Sequence, residues 1–161
     1  MGRVMKISWL EAEKLCAGGI PIGKTDLQSL VDQGVRAILT LTDHPLNTQK
    51  ELDDETITAF GITVLHVPVT DQKAPTQAQA QAIHDFIKQM NEQKLPVFIH
   101  CHTGVGRTRT ALHAHYLLSG MTFTEAQARV KQTRPTSQYI MLSDVQKAFL
   151  EHFAAELGLY R

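Results

Sequence analysis

The chain has 161 residues, and its 16 lysines and arginines are balanced by 16 aspartates and glutamates, so the formal net charge is zero with histidine neutral. A zero balance excludes the strong overall field that draws a protein to nucleic acid or to an anionic membrane, but it is compatible with a local basic pocket. Hydrophobic residues make up 43% of the chain, as in a folded domain, and two cysteines are too few for a disulfide framework. We therefore expect one domain over residues 1–161, in a reducing cytoplasmic setting and without a membrane or nucleic-acid partner.

Three short apolar segments are predicted to form strands. Residues 37–41 and 62–67 are rich in β-branched and bulky side chains, which favour an extended backbone. Residues 96–100 form a continuous apolar run, as expected of a strand that is buried on both faces of a sheet.

Helical spacing of apolar residues precedes and separates these strands. Thr25 and Asp26 are expected to cap a short helix that ends at Gly34, and a second helix is expected to end at Gly61. A longer helix is predicted to start at Thr76.

Three further helices are predicted after the strand 96–100. The first follows residue 107 and stops at Gly120. Thr122 and Glu125 form a capping box for the second, which must end before Pro135. Ser143 is expected to open the last helix. Alternation of strands and helices predicts a single α/β domain in which helices flank a central mixed or parallel sheet, with ligands beyond the carboxyl ends of the strands.

The segment 100–108, His-Cys-His-Thr-Gly-Val-Gly-Arg-Thr, lies at such a strand end. Its two glycines allow backbone N–H groups to turn inward as an anion-binding nest, and the dipole of the following helix adds positive potential there. Arg107 offers a planar fork of donors that suits two oxygens of one phosphate. Beside that arginine and the helix start, Cys101 is expected to have a pKa well below the free value of about 8.5. The segment predicts a cup that holds a tetrahedral oxyanion above a nucleophilic thiolate.

A His-Cys pair followed by five residues and then Arg-Thr resembles the active-site loop of the cysteine-dependent protein tyrosine phosphatase superfamily. Its place late in the chain, between a buried strand and a helix, together with the short length, is most similar to small atypical dual-specificity phosphatases. Residues 15–21 resemble the opening strand and turn of that group, and Arg134-Pro135 with the last helix resembles its closing elements. The resemblance implies a phosphatase-type fold of the dual-specificity kind.

The resemblance also implies roles for individual residues. Cys101 would be the nucleophile, and Asp71 would act first as general acid and then as general base. The hydroxyl of Thr108 would assist the departure of the sulfur. His100 would support the nucleophile from the side away from the substrate. No metal or other cofactor would be needed, because Arg107 and backbone N–H groups neutralise the phosphate oxygens. The phosphate-binding loop would comprise His102, Thr103, Gly104, Val105, Gly106 and Arg107.

Two positions depart from the family pattern. Arg109 stands where glycine is common, and it is expected either at the surface or on a widened positive rim. The water-positioning glutamine of the classical tyrosine-specific branch has no clear counterpart, with Gln138 and Gln146 both candidates.

Several residues allow a second interpretation. Asp43 follows an earlier strand and is the rival general acid. His100 and His102 flank a cysteine, which suggests zinc, but no Cys-x-x-Cys pair completes four ligands. Cys16 could pair with Cys101 under oxidation, although a packing role is the stronger expectation.

The expected activity is hydrolysis of phosphotyrosine in phosphorylated proteins or peptides, by a monomer whose loop also accepts phosphate, sulfate or vanadate. The chain has little length for a tall recognition loop, so a shallow pocket would admit phosphoserine and phosphothreonine too. The alternative is the same chemistry on inositol phosphates, phosphoinositides or RNA 5′-phosphates, although the loop lacks the lysine that often meets extra phosphates. A phosphate-binding pseudoenzyme would have lost the nucleophile, the arginine or the acid, and this sequence keeps all three. Sulfur-transfer or arsenate chemistry would not require the upstream acid, so Asp71 argues against it.

Overall fold

The structure, a computed structural model, describes residues 4–102 and 106–161. Its strands are β1 (Ile7–Glu11), β2 (Leu15–Gly18), β3 (Ala37–Thr40), β4 (Thr63–His66) and β5 (Val97–His100). Its helices are α1 (Gly23–Asp32), α2 (Asp54–Ala59), α3 (Gln77–Glu92), α4 (Gly106–Leu118), α5 (Phe123–Thr133) and α6 (Asp144–Glu156). Short 3₁₀ turns occur at Leu46–Thr48, Pro135–Ser137 and Tyr139–Met141.

The strands form one sheet in the order β1-β2-β5-β3-β4. Only the edge pair β1-β2 is antiparallel, and the other three pairs are parallel. The predicted α/β class with a central mixed sheet is therefore confirmed. Because β2, β5, β3 and β4 run in the same direction, their carboxyl ends meet at one edge of the sheet. The backbone after β3 and β4 continues this edge, since Leu41 donates to the carbonyl of His100 and Val69 donates to that of Leu41.

Two apolar clusters cover the two faces of the sheet, as the alternation of side chains along each strand requires. One face packs against α1 and α2 through residues such as Leu30 and Ile57. The other packs against α3, α4, α5 and α6 through residues such as Ile83 and Leu150. Helix α4 lies in the middle of that second layer, and every residue from 107 to 117 is buried.

The predicted helix signals are confirmed at most ends. Thr76, Thr122 and Ser143 each form a complete capping box, and Gly61 and Gly120 adopt the positive φ angles that suit a helix stop. The predicted cap of α1 is wrong. That helix begins earlier, after Ile22, and the carboxylate of Asp26 lies within it and accepts from the Ile22 N–H at 2.6 Å.

No helix in the two described ranges is long and apolar enough to cross a bilayer.

Candidate active site

The candidate nucleophile Cys101 is the first residue after β5, and α4 begins five residues later at Gly106. Its neighbour His100 is fully buried at the centre of the sheet edge, between the ends of β2 and β3. Cys101 itself is 2% exposed. Of the predicted phosphate loop, Thr103, Gly104 and Val105 lie outside the described residues, whereas His102 and Gly106 line a cavity of about 640 Å³.

His100 is fixed by two hydrogen bonds that determine its tautomer. Its Nδ1 lies 3.0 Å from the carbonyl oxygen of Cys101, which can only accept, so Nδ1 carries the proton. The Thr40 hydroxyl, 3.0 Å from Nε2, is then the donor to that nitrogen. Burial lowers the pKa of His100 to about 4, so the ring is neutral near pH 7. A neutral imidazole thus holds the backbone of Cys101 from within the sheet.

Arg107 lies in the first turn of α4, and its side chain is only 6% exposed. Its Nη1 donates to the carbonyl of Val69 at 3.0 Å, which anchors the guanidinium beside the loop after β4. Its Nε is buried and has no hydrogen-bond partner among the described residues. A buried guanidinium with an unused donor can bind an anion without first giving up another partner.

Two carboxylates flank that guanidinium. An oxygen of Asp71 lies 3.9 Å from Nε of Arg107, and an oxygen of Asp43 lies 3.8 Å from Nη1. Both carboxylates are largely exposed, at 72% and 67%, and both line the cavity. The structure thus brings Asp71 and its rival Asp43 to the same site, from the loops that follow β4 and β3.

Thr108 is fully buried one residue after Arg107, and its hydroxyl oxygen has no hydrogen-bond partner among the described residues. An unsatisfied buried hydroxyl is uncommon, and each one calls for a physical reason.

Arg109 is buried, which corrects the expectation of a surface residue. It is 6% exposed, lines the cavity, and donates to the carbonyls of Met141 at 2.8 Å and Thr136 at 2.5 Å. Burial lowers the pKa of both Arg109 and Arg134, while the nearby sulfur of Cys101 opposes that shift. The positive charges of Arg109 and Arg134 therefore both act on the sulfur of Cys101.

The structure also separates the remaining candidates. Gln146 lines the cavity, whereas Gln138 is not among the described lining residues. Cys16 packs in the cluster on the face of the sheet opposite that of Cys101, and burial raises the pKa of its thiol. This placement favours the packing role over a disulfide partner.

No group of three or more metal-ligating side chains occurs within residues 4–102 and 106–161.

Solved structures with this fold cover nearly the whole chain. Tk-PTP, in a mutant form, is 22% identical and matches 96% of this chain and 97% of its own with a TM-score of 0.79. Kinase associated phosphatase, with its catalytic-site cysteine replaced by serine, is 17% identical and matches 100% of both chains with a TM-score of 0.79. PTPMT1 is 20% identical and matches 95% of this chain and 96% of its own with a TM-score of 0.78. At these identities the likeness shows a common fold.

A family match adds to this likeness. Residues 16–121 match the model of a family described as "Polymorphic toxin system, DSP-PTPase phosphatase". The matched range includes β5, the candidate nucleophile, both candidate acids and all of α4. Since that match covers well over half of the sequence and the fold agrees with it, the chain belongs to this family of dual-specificity-type phosphatases.

Proposed function

We propose that the protein hydrolyses phosphate monoesters of phosphorylated proteins through a phosphocysteine intermediate, with Cys101 as nucleophile, Arg107 as phosphate clamp and Asp71 as general acid and base. The observation that carries this proposal is the position of Arg107. It is buried, its Nε has no hydrogen-bond partner among the described residues, and it lies 3.9 Å from the carboxylate of Asp71 at the sheet edge where Cys101 follows β5.

The reaction proceeds in two displacements. The Cys101 thiolate attacks phosphorus, the bond from phosphorus to the ester oxygen breaks, and Asp71 gives that oxygen a proton. Water then attacks phosphorus, Asp71 takes up a proton from it, and the sulfur–phosphorus bond breaks to release inorganic phosphate and the thiolate. No metal takes part, because Arg107 and the positive start of α4 offset the charge on the phosphoryl oxygens.

Thr108 and His100 act on the sulfur and its backbone. The buried hydroxyl of Thr108, which has no partner among the described residues, would donate to the sulfur as it leaves phosphorus. His100, neutral and held by Thr40, keeps the carbonyl of Cys101 in place, so the thiolate meets phosphorus in a fixed direction.

A phosphoprotein is favoured over a multiply phosphorylated substrate because, among the described lining residues, one arginine is placed to bind a phosphate strongly. Among the described lining residues of the cavity, the basic side chains are those of Arg107 and Arg109. Both terminal nitrogens of Arg109 already donate to backbone carbonyls. Two exposed carboxylates, Asp43 and Asp71, would repel a second phosphate. One of the structures with this fold, PTPMT1, was solved in complex with PI(5)P, so phosphoinositides remain the alternative substrates to be tested.

The first experiment measures hydrolysis of p-nitrophenyl phosphate by the purified protein in the presence of a chelator, with and without vanadate. We expect activity that survives the chelator and is inhibited by vanadate, and that is lost in Cys101→Ser but kept in Cys16→Ala. Full activity in Cys101→Ser would refute the nucleophile.

A substrate panel then compares a phosphotyrosine peptide, a phosphothreonine peptide, an RNA 5′-phosphate and PI(5)P in mixed micelles. The proposal expects the highest kcat/KM on a phosphopeptide. A clear preference for PI(5)P or for the RNA would move the protein to the alternative class while leaving the chemistry unchanged.

A further inference from the structure

The loop that carries Asp71 is joined directly to the start of α6. The Ser143 hydroxyl donates to the carbonyl of Gln72 at 3.1 Å, and Nε2 of Gln146 donates to the carbonyl of Lys73 at 3.2 Å. Both hydrogen bonds reach main-chain atoms in the two residues that directly follow Asp71, about 70 residues away in the chain. They therefore act on the backbone that carries the carboxylate.

The same two side chains also cap α6. Ser143 Oγ accepts from the N–H of Gln146 at 3.2 Å, and Gln146 Oε1 accepts from the N–H of Ser143 at 3.1 Å. Each side chain thus uses its acceptor for the helix and its donor for the Asp71 loop. A helix cap alone requires only acceptors, and Asp or Glu would serve equally well. A hydroxyl and a carboxamide are the groups that can do both.

The backbone of that loop needs external support. Gln72 has a φ angle of +62°, a left-handed conformation that a residue with a side chain adopts at a cost. On the other side of Asp71, Arg107 donates to the carbonyl of Val69 and Gln79 donates to that of Pro68 at 2.8 Å. The largely exposed carboxylate of Asp71 is therefore positioned by hydrogen bonds to the backbone on both sides of it.

We propose that Ser143 and Gln146 are positioning residues that hold the Asp71 loop over the phosphate pocket, so that the cap of α6 also serves as a latch for the general acid. This inference rests on the proposed role of Asp71. Gln146 lies beside the phosphate loop as well, since its Nε2 is 3.6 Å from the place that a Cβ on Gly106 would occupy. Both residues line the cavity without having to touch substrate to exert this effect.

The latch makes a prediction that a merely structural role does not. A misplaced acid slows only those substrates whose leaving group needs a proton. Tyrosine, with a pKa of about 10, is such a leaving group, whereas the more acidic p-nitrophenol departs readily as an anion. Breaking the latch should therefore lower kcat/KM for a phosphotyrosine peptide much more than it lowers kcat/KM for p-nitrophenyl phosphate.

The test uses variants that keep the helix cap and lose the latch. Ser143→Asp and Gln146→Glu retain the acceptors that cap α6 but cannot donate to the carbonyls of Gln72 and Lys73. We expect each to lower the ratio of the two kcat/KM values by about tenfold to a hundredfold, as a displaced catalytic group does. Ser143→Thr keeps donor and acceptor and should retain the wild-type ratio.

Two controls separate other causes. Val145→Asp adds a carboxylate to the same exposed turn without touching the latch, and it should also retain the wild-type ratio. Asp71→Asn sets the size of the effect when the acid is lost entirely. Thermal unfolding followed by circular dichroism identifies any variant that fails to fold. If Ser143→Asp fails to fold, the kinetics of Gln146→Glu alone test the latch.

The outcomes distinguish the two proposals. If Asp71→Asn leaves the ratio unchanged, the proposed role of Asp71 is wrong and the latch falls with it. If Asp71→Asn lowers the ratio while Ser143→Asp and Gln146→Glu match the wild type, the general acid stands and the latch is refuted. A drop in Val145→Asp as large as in the latch variants would assign the effect to charge and would also refute the latch.

Discussion

Nε of Arg107 lies 3.9 Å from a carboxylate oxygen of Asp71, and both groups face a cavity that also contains His102 and Gly106. At this distance Nε of Arg107 has no hydrogen-bond partner in the described part of the chain, and the carboxylate of Asp71 remains largely exposed. In the proposed reaction, the phosphate of the substrate would bind the guanidinium of Arg107 while the carboxyl group of Asp71 would lie beside the ester oxygen. An oxygen of Asp43, in the loop after β3, lies 3.8 Å from Nη1 of the same guanidinium.

Because Asp71 and Asp43 lie at similar distances from Arg107, the two carboxylates can be tested against each other. We expect Asp71→Asn to lower kcat/KM for a phosphotyrosine peptide by about 10²–10⁴-fold, the usual contribution of a general acid. Asp43→Asn should change it by less than about tenfold, because a flanking exposed charge has a modest effect. Steady-state kinetics of both variants decide the assignment, and the reverse order would make Asp43 the acid.

The hydrogen bond from Thr40 to His100 predicts a second effect, on stability and rate together. Thr40→Val removes the donor and leaves Nε2 of a buried imidazole without a partner, which should cost about 1–3 kcal/mol of unfolding free energy. Because His100 also holds the carbonyl of Cys101, kcat/KM should fall by about tenfold as the nucleophile shifts. Urea unfolding and assays with p-nitrophenyl phosphate measure both quantities. Thr40→Ser retains the hydroxyl, and equal losses in it would contradict this explanation.

Arg109 is predicted to have two separable effects. Arg109→Met removes a positive charge near Cys101 and should move the acidic limb of the pH profile of kcat/KM to higher pH. Arg109→Lys keeps the charge and should leave that limb in place. The lysine variant should still lose about 1–2 kcal/mol of stability, since one ammonium group cannot replace a fork that donates to both Met141 and Thr136. Identical pH profiles for the two variants would remove Arg109 from the electrostatics of the site.

Three buried histidines predict how stability depends on pH. Burial lowers the pKa of His100 and His113 to about 4 and that of His115 to about 3, whereas an unfolded histidine titrates at about 6.5. Between these values the unfolded chain binds more protons than the folded one, so stability must fall as the pH is lowered from about 6.5 towards 4. The unfolding free energy, measured with urea at several pH values in this range, should have a slope that corresponds to the uptake of up to three protons by these groups on unfolding.

His113→Asn provides the control for that slope. Asparagine can replace the hydrogen bond from Nδ1 of His113 to the carbonyl of Arg109, which is 2.8 Å long, but it does not titrate. The variant should lose about one proton from the pH dependence. A slope equal to that of the wild type would show that His113 is not buried in its neutral form.

Most of the fold and the core of the site could be predicted from local patterns. The apolar run before His100, the capping boxes at Thr76 and Thr122, and the Cys101-to-Arg107 spacing each act within a few residues, and each is visible in the sequence. Strand β1 is not evident in the sequence because it is an edge strand in which the neighbours Trp9 and Leu10 are both apolar, so apolar and polar residues do not alternate along it.

The features that depend on distant contacts could not be predicted. An arginine in the first turn of a helix is usually exposed, so nothing in the sequence indicated that Arg109 is buried against the carbonyls of Thr136 and Met141. Two 3₁₀ turns between Pro135 and Met141 determine which glutamine reaches the cavity. Only the folded chain shows that Gln146 occupies that place and contacts the loop of Asp71.

The most direct test of the proposed chemistry is to identify the covalent intermediate. The protein is mixed with p-nitrophenyl phosphate, quenched in acid within milliseconds, digested and analysed by mass spectrometry. We predict one phosphoryl group on the sulfur of Cys101, formed together with a burst of p-nitrophenol and absent in Cys101→Ser. A phosphoryl group on a histidine such as His100 or His102, or steady turnover with no phosphorylated peptide at any quench time, would contradict the account.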